Sequence, residues 1–380
     1  MAANKIIYLD NAATTLVNPE ILKTYNEVIN TYFANPSSIH AEGQKANRLL
    51  DKAREQILSC LNLSNHEVIF TSGATEANNL AIKGYCLKHQ NRGKHIIVSN
   101  VEHASVLETA KWLEQFGFEV TYLPVNSKGI VEVESLKDTI KENTILVSIM
   151  AVNNETGAIN QIEDIASLLK NYPKIAFHVD AVQAIGKIDI NYKDVDMLSI
   201  AGHKIHCMVG VGVLIINKKI DLLEMNSGGG QEHNLRSGTS DVAMGVALSK
   251  AIRLATSDID KKKNNIKELY EYVKKYVLDN SDLYELNSYF NENPYVLNFS
   301  LKTRKASVVV EALSNMGIMV SSISACHSHD EPISYVVEAM GKGETLSHNT
   351  IRVSFDNENT FDEAKTFVET IDKLIRGLKQ

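Results

Sequence analysis

Cysteine is scarce in this sequence, and the few cysteines present are far apart. The chain has 380 residues and 4 cysteines, no two of which form a C-x-x-C pair. In a chain of this size, scattered cysteines are more typical of separate thiols than of a disulfide framework. They are Cys60, Cys86, Cys207 and Cys326.

The sequence also has no apolar run long enough to span a membrane, and its start lacks the core of a signal peptide. We therefore expect a cytoplasmic protein with no membrane partner. The formal net charge at pH 7 is -7. Because contacts to phosphates need clustered lysine and arginine, this charge argues against direct binding of nucleic acid.

No low-complexity tract, internal repeat or linker rich in proline or glycine divides the chain. A chain of this length can bury a large core, and it can form one large domain with a smaller companion. We expect an N-terminal arm at residues 1–18 that belongs to the small domain. The large domain is predicted at residues 19–255 and the small C-terminal domain at residues 256–380.

Seven short apolar runs alternate with helical patterns before the predicted small domain. Such alternation is typical of a mostly parallel sheet covered by helices on both faces. The sequence therefore predicts an α/β fold with a mostly parallel seven-stranded sheet, followed by a smaller α+β domain. The predicted strands are residues 67–71, 95–99, 119–124, 144–152, 175–180, 196–200 and 211–216.

A carboxylate and a lysine follow two neighbouring predicted strands, at the edge where α/β sheets bind ligands. Asp180 ends one run, and Lys204 follows the next. An aldehyde cofactor such as pyridoxal phosphate needs a lysine amine, which holds it as a Schiff base, and an acid, which keeps its ring nitrogen protonated. Gln183 could donate to the ring hydroxyl. The residues alone also fit a helix-capping aspartate and a solvated lysine.

A turn of small residues, Ser72-Gly73-Ala74-Thr75, follows the first of these strands and opens an apolar helix. The free N–H groups and the positive dipole end of a helix N-terminus bind phosphate well. We therefore predict Ala74 and Thr75 as phosphate contacts. An ordinary serine or threonine N-cap would have the same pattern.

Cys326 lies in a polar loop rich in serine and histidine, where a core cysteine is not expected. The neighbouring His327 and His329 favour its thiolate, which is the reactive form of cysteine. A chance surface thiol is the simpler alternative. Metal binding by Cys326, His327, His329 and Asp330 is a third, but their spacing matches no closed zinc site, and we expect no metal.

The chain as a whole resembles the class V aminotransferases, and specifically the cysteine desulfurases of the NifS/IscS type. The resemblance runs nearly from end to end, and its motifs stand in the family's order. The motifs are Tyr8 to Thr15, Asn35 to Ser38, Ser72 to Asn79, Glu102-His103, Asn153 to Gly157, Asp180 to Ala184, Gly202 to His206, Arg236 to Thr239, Ser324 to Cys326 and Ile351-Arg352.

This resemblance implies pyridoxal 5'-phosphate as cofactor, L-cysteine as substrate and the type I fold of pyridoxal-phosphate transferases. Lys204 would carry the cofactor and transfer protons, and Asp180 would support the ring as an electron sink. His103 would stack on the ring and relay a proton. Cys326 would attack the substrate sulfur, leaving a persulfide on the enzyme and alanine as product.

The resemblance also implies the remaining contacts and partners. Substrate contacts are expected from Asn11, Asn153 and Arg352, the last as a clamp on the amino-acid carboxylate. Asn153 and His203 are expected at the cofactor, and Thr239 at the cofactor phosphate of a partner subunit. A homodimer follows, as does a sulfur acceptor such as an iron–sulfur scaffold or a tRNA-thiolation enzyme.

The chain differs from the family pattern in three segments. Ala201 replaces a serine whose hydroxyl would contact the phosphate, Cys207-Met208-Val209 replaces Gly-Pro-Lys, and Ile323 replaces a glycine in the thiol loop. These differences leave two alternatives open. The first is a carbon–sulfur or carbon–selenium lyase of the same family, and the second is a catalytically silent paralogue that acts as a partner protein.

Overall fold

A seven-stranded sheet forms the centre of the larger part of the molecule. The computed structural model describes residues 6–289, 293–322 and 333–377. The strands, numbered along the chain and given in their order across the sheet, are β2 (His66–Thr71), β8 (Gly212–Asn217), β7 (Met197–Ala201), β6 (Ala176–Asp180), β5 (Thr144–Ser148), β3 (His95–Ser99) and β4 (Glu119–Leu123).

Five of these strands, from β7 across to β4, are mutually parallel, whereas β8 runs antiparallel to both of its neighbours. The predicted α/β class and mostly parallel sheet are therefore confirmed. Every residue of β5, β6 and β7 is buried, as strands covered on both faces must be. Asp180 on β6 lies opposite Ser199 on β7, so the carboxyl ends of both strands meet at one edge.

Helices cover both faces of this sheet. Val68 of β2 belongs to one apolar core and Ile69 to another, because side chains alternate across a strand. Leu50 packs into the first core and Leu80 into the second. The helices of this part are α1 (Pro19–Thr31), α2 (Ala41–Cys60), α3 (Ala74–His89), α4 (Ala104–Glu114), α5 (Val133–Thr139), α6 (Ile162–Leu169), α7 (Gln231–Asn234) and α8 (Val242–Thr256), with a 3-10 turn at Gly202–Lys204.

A second, antiparallel sheet of four strands forms the centre of the C-terminal part and has its own apolar core, which includes Phe299 and Phe367. Its strands, in order across the sheet, are β12 (Ser321–Ser322), β13 (Thr350–Ser354), β10 (Val296–Leu301) and β9 (Tyr284–Leu286). The helices here are α9 (Ile259–Asp279), α10 (Ala306–Asn315), α11 (Tyr335–Ala339), α12 (Glu344–His348) and α13 (Phe361–Gly377).

The N-terminal segment packs with this C-terminal part. Strand β1 (Ile7–Tyr8) pairs in parallel with β11 (Ile318–Met319), and Leu9 is fully buried in the second sheet's core. The division into an arm, a large domain and a small domain at residues 18 and 255 stays a prediction. Within the described ranges, no helix is both long and apolar enough to cross a membrane.

Candidate active site

Asp180 lies at the carboxyl end of β6 and is 5% exposed. Its Oδ1 accepts a hydrogen bond from the backbone N–H of Val182 at 3.0 Å, and its Oδ2 accepts one from Nδ2 of Asn78 at 2.9 Å. The first bond is that of a capping aspartate, whereas the second ties the carboxylate to α3. Because a carboxylate has about four acceptor positions, Asp180 can still accept from a protonated ring nitrogen.

Lys204 ends the 3-10 turn after β7 and is half-buried. Its Nζ donates to the backbone oxygens of Ala12 and Ala13, at 2.7 and 2.6 Å. Nε2 of Gln183 donates to the same Ala12 oxygen at 2.9 Å. The structure therefore brings the predicted lysine and glutamine together beside the N-terminal arm, and Lys204 is not simply a solvated lysine.

Lys187 belongs to this cluster, although the sequence interpretation gave it no role. Its Nζ donates to Oε1 of Gln183 at 3.0 Å, so the oxygen of that amide faces Lys187 and its nitrogen faces Ala12. Burial, together with the nearby charge of Lys204, lowers the pKa of Lys187 to about 8. The feature of the sequence that could have suggested this role is the position of Lys187, four residues after Gln183.

His203 also contacts the N-terminal segment, at Thr14 and Thr15. Its Nδ1 lies 3.2 Å from Oγ1 of Thr14, and its backbone oxygen accepts from the N–H and hydroxyl of Thr15. Burial and the charge of Lys204 lower the pKa of His203 to about 4. The ring is therefore neutral at physiological pH, which adds no positive charge beside Lys204.

The N-terminus of α3 follows β2, and Ala74 is its first residue. The preceding Gly73 makes no side-chain capping bond, and a Cβ placed on it would meet no atom within 4 Å. Ala74 is half-buried and Thr75 is exposed. This turn is therefore not an ordinary serine or threonine N-cap, and its open first turn suits an anion such as a phosphate group.

His103 is the N-cap residue of α4, where its Nδ1 accepts from the backbone N–H of Ser105 at 3.1 Å. The same Nδ1 lies 2.9 Å from Oγ of Ser105, and that oxygen lies 2.9 Å from Nδ2 of Asn78. Since Asn78 also donates to Asp180, a continuous chain of hydrogen bonds joins His103 to Asp180. The sequence interpretation gave no role to Ser105 or Asn78.

Asn153 lies after β5 and is fully buried. Its Nδ2 donates to the backbone oxygen of Val101, and its Oδ1 accepts from the N–H groups of Glu155 and Thr156. Both ends of this amide therefore hold the turn together. The neighbouring Asn154 instead has a buried Oδ1 without a hydrogen-bond partner among the described residues, which makes it the better candidate for a ligand contact.

Arg352 on β13 points at the same turn. Its Nη1 donates to the backbone oxygen of Asn154 at 3.0 Å, and its Nη2 donates to Oδ1 of Asp10 at 2.8 Å. The side chain is 8% exposed, and its Nε has no partner within the described part of the chain. Asp10 thus fixes the guanidinium plane, a role that the sequence did not suggest.

Asn11 holds the arm to the second sheet. It is 6% exposed, and its Nδ2 donates to the backbone oxygen of Ser354 at 3.0 Å. The structure therefore places Asn11 next to the strand that carries Arg352, with its amide nitrogen already engaged. Its predicted contact with substrate stays a prediction.

Two predicted residues are not joined to these networks. Thr239 is exposed and, within the described ranges, makes no side-chain hydrogen bond to the residues above. Cys326 lies outside the described residues, as do Ile323 and the residues of the metal alternative, His327, His329 and Asp330. Among the residues that the structure describes, no group of three or more histidine, cysteine, aspartate or glutamate side chains could hold a metal ion.

Two buried acids are sequence neighbours of site residues, since Glu102 precedes His103 and Glu155 follows Asn154. Oε1 of Glu102 accepts from Oγ of Ser99 and from the backbone N–H of Met150. Burial raises the pKa of Glu102 to about 8 and that of Glu155 to about 7. Glu155 accepts from Oγ of Ser334 at 2.6 Å, which connects the turn after β5 to the C-terminal part.

The residues near Lys204 that differ from the family pattern are partly buried and partly exposed. Ala201 is 2% exposed and Cys207 is 1% exposed, whereas Val209 is 72% exposed. Burial raises the pKa of the Cys207 thiol to about 11. Cys207 is therefore a neutral thiol packed in the core, and it lacks the exposed thiolate that sulfur transfer requires.

A lysine, a buried aspartate and an open helix N-terminus at the carboxyl edge of a mostly parallel sheet define an enzyme that holds pyridoxal phosphate. The family model of the aminotransferase class-V family matches residues 7–367. The chain belongs to the class V aminotransferase family, whose enzymes depend on pyridoxal phosphate. This confirms the resemblance found in the sequence.

Individual relatives and a solved structure are similar to this chain over nearly its whole length. The chain is 39% identical over 373 residues to a NifS/IcsS protein homolog of Lactobacillus delbrueckii subsp. bulgaricus, with 97% of each chain covered. It is 38% identical over 376 residues to the cysteine desulfurase IscS of Dictyoglomus turgidum, covering 98% of this chain and 95% of that one. A solved NifS-like protein matches with a TM-score of 0.90 and 33% identity, covering 98% of this chain and 100% of that one.

Proposed function

We propose that this protein is a pyridoxal-phosphate-dependent cysteine desulfurase, which converts L-cysteine to L-alanine and passes the sulfur through a persulfide on Cys326. One observation carries the proposal: Lys204 and Gln183 both donate hydrogen bonds to the backbone oxygen of Ala12. They do so at the edge of the sheet where Asp180 ends β6. The relatives named cysteine desulfurase support the choice of reaction.

The residues at this edge of the sheet can form a hydrogen bond with each polar group of the cofactor ring and with its phosphate. Asp180 can accept from the ring nitrogen, Gln183 can donate to the ring hydroxyl, and the first turn of α3 at Ala74 and Thr75 can hold the phosphate. When bound, pyridoxal phosphate supplies an aldehyde that condenses with amines and a ring that withdraws electrons from the substrate's α-carbon.

The chain's own residues then bind and orient the substrate. Arg352 presents a buried guanidinium whose plane is fixed by Asp10, which suits a bidentate clamp on the amino-acid carboxylate. We propose Asn154 in place of Asn153 as the amide that contacts a ligand, because its Oδ1 is buried and unpartnered in the described part of the chain. Lys204 is the amine that moves protons at the α-carbon, and His103 covers the site as an aromatic face.

Cys326 is proposed as the sulfur acceptor because the other cysteines are unsuited to the task. Burial raises the pKa of Cys86 and Cys207, and it also raises that of the half-buried Cys60. The Cys326 thiolate would attack the substrate sulfur, so that an S–S bond forms as the C–S bond breaks. The β-carbon that has lost its sulfur then takes up a proton, which gives alanine, and Cys326 retains the persulfide.

We also propose that two copies of the chain form a homodimer. Helix α1 has an outer face with Leu22 and Ile29 each 45% exposed, and Phe33 beyond its end is 78% exposed. Large apolar side chains exposed along one side of a helix are typical of a subunit interface. The exposed Thr239 would then be available to the neighbouring subunit's phosphate.

We also propose a sulfur acceptor, a compartment and a domain division. The persulfide needs an acceptor, for which an iron–sulfur scaffold or a tRNA-thiolation enzyme is proposed. The free cysteines Cys60, Cys86 and Cys207 favour a reducing compartment such as the cytoplasm. The separate core of the second sheet supports a small domain at residues 256–380 together with the arm at residues 1–18.

The test replaces Cys326 by serine and measures sulfide and alanine released from L-cysteine in the presence of a reductant. We expect Cys326→Ser to lose sulfide release while it keeps the visible absorbance of the bound cofactor. Cys60→Ser is the matched control and should retain activity. Full sulfide release by Cys326→Ser would defeat the proposal, and formation of pyruvate instead of alanine would favour the lyase.

A further inference from the structure

The side-chain amide of Asn78 has a defined orientation. Asn78 is fully buried, and one of its atoms lies 2.9 Å from Oδ2 of Asp180. A carboxylate oxygen accepts hydrogen bonds, so the amide must turn its NH2 group toward Asp180. The same nitrogen lies 2.9 Å from Oγ of Ser105, and its second hydrogen is directed there. Asn78 therefore donates both of its hydrogens, one to Asp180 and one to Ser105.

This orientation determines the direction of the next bond. Because Oγ of Ser105 accepts from Asn78, its own hydroxyl hydrogen is available to donate, and Nδ1 of His103 lies 2.9 Å away. The backbone N–H of Ser105 donates to the same Nδ1 at 3.1 Å. Two donors thus converge on Nδ1, and a nitrogen that accepts two hydrogen bonds cannot also carry a hydrogen.

We propose that Ser105 and Asn78 are positioning residues that hold neutral His103 as the tautomer with its hydrogen on Nε2. In this tautomer the ring hydrogen is carried by Nε2. Asp180 anchors this chain of hydrogen bonds at its other end, so the residue expected to support the cofactor ring also sets the orientation of His103.

This tautomer limits what His103 can do in the reaction. A neutral imidazole with hydrogen on Nε2 can donate to a substrate or cofactor atom from that nitrogen, but it cannot accept a proton there. This consequence rests on the proposed function, because it assigns the removal of substrate protons to another group, of which Lys204 is the candidate.

The test is direct observation of the tautomer in the intact protein loaded with pyridoxal phosphate. Histidine is labelled with ¹⁵N, and correlations between ring protons and ring nitrogens show which nitrogen carries the hydrogen. The signals of His103 are assigned as those lost in His103→Gln. We expect hydrogen on Nε2 in the wild-type protein, and hydrogen on Nδ1 would overturn the proposal without any variant being needed.

Variants distinguish the effect of the Ser105 hydroxyl on the tautomer from a general effect on the fold. Ser105→Ala should lower the ratio of the Nε2–H to the Nδ1–H tautomer by about fivefold, which is the effect of one neutral hydrogen bond. Ser105→Thr keeps the hydroxyl and should restore the wild-type ratio. Ser249→Ala is the matched control, because it removes a buried serine hydroxyl that donates to Gln56.

An unchanged ratio in Ser105→Ala would overturn the role of Ser105. The visible absorbance of the cofactor and the alanine formed from cysteine are recorded on the same samples. Failure of the proposed function would appear there, in the wild-type protein, whereas failure of the tautomer assignment appears only in the nitrogen signals.

Discussion

Glu102 offers a quantitative prediction about stability, because it is an acid that the fold keeps protonated. It is fully buried, and burial raises its pKa from 4.5 to about 8, with the nearby Asp180 charge acting in the same direction. Its Oε1 accepts two hydrogen bonds, whereas its Oε2 has no partner among the described residues. Glutamine has nearly the same shape as protonated glutamate, so Glu102→Gln removes the titration with little change in packing.

The direction in which stability changes with pH follows from the number of protons that the folded and the unfolded states bind. Between pH 4.5 and 8, the folded protein holds a proton on Glu102 that the unfolded chain has released. Stability from this group is therefore complete below pH 4.5 and is lost as pH rises toward 8. The loss is about 1.4 kcal/mol per pH unit, or at most about 4 kcal/mol between pH 5 and pH 8. Glu155 adds a similar loss up to about pH 7, but it is present in both proteins.

Urea unfolding at pH 5, 6, 7 and 8 measures this difference. We expect the free energy of unfolding to fall less with pH in Glu102→Gln than in the wild type, by up to about 4 kcal/mol over this range. Glu134→Gln is the control, because the Glu134 side chain is 80% exposed and should leave the pH dependence unchanged. Parallel curves for the wild type and Glu102→Gln would refute the view that Glu102 is protonated in the fold.

Three further predictions concern the site and the proposed interface. Asp180→Asn should retain cofactor but lower kcat for alanine formation about a hundredfold, because a neutral amide cannot stabilise a protonated ring nitrogen; an unchanged kcat would contradict this. Arg352→Lys should raise KM for cysteine about tenfold, since it replaces a fixed fork by a point charge, and equal KM values would rule out the clamp. Ile29→Asp should shift sedimentation toward the monomer, whereas Lys23→Asp on the same helix should not.

Much of the fold could be predicted because the buried strands are apolar runs with clear ends. The strand predicted at residues 95–99 matches β3, and six others are correct to within a few residues. The largest error is the run from 144 to 152, because β5 ends at Ser148. Residues 149–152 are just as apolar and buried, so composition alone cannot show where pairing in the ladder stops.

The site was predictable where a single residue follows a strand, as Asp180 and Lys204 do. It was not predictable where two distant segments meet. Asp10 reaches Arg352 only through the packing of the N-terminal arm on β13, and Ser105 reaches Asn78 only through the contact of α4 with α3. Pairings of this kind depend on tertiary packing, and no spacing along the chain encodes them.

The most direct measurement is the absorbance spectrum of the purified protein before and after addition of L-cysteine, with alanine quantified in the same sample. A visible band of bound cofactor that changes on adding cysteine, together with formation of alanine, is the predicted result. A band that changes without alanine would contradict the desulfurase reaction and favour lyase chemistry. No band, even after added pyridoxal phosphate, would contradict the account of Lys204 and Asp180 as its binding residues.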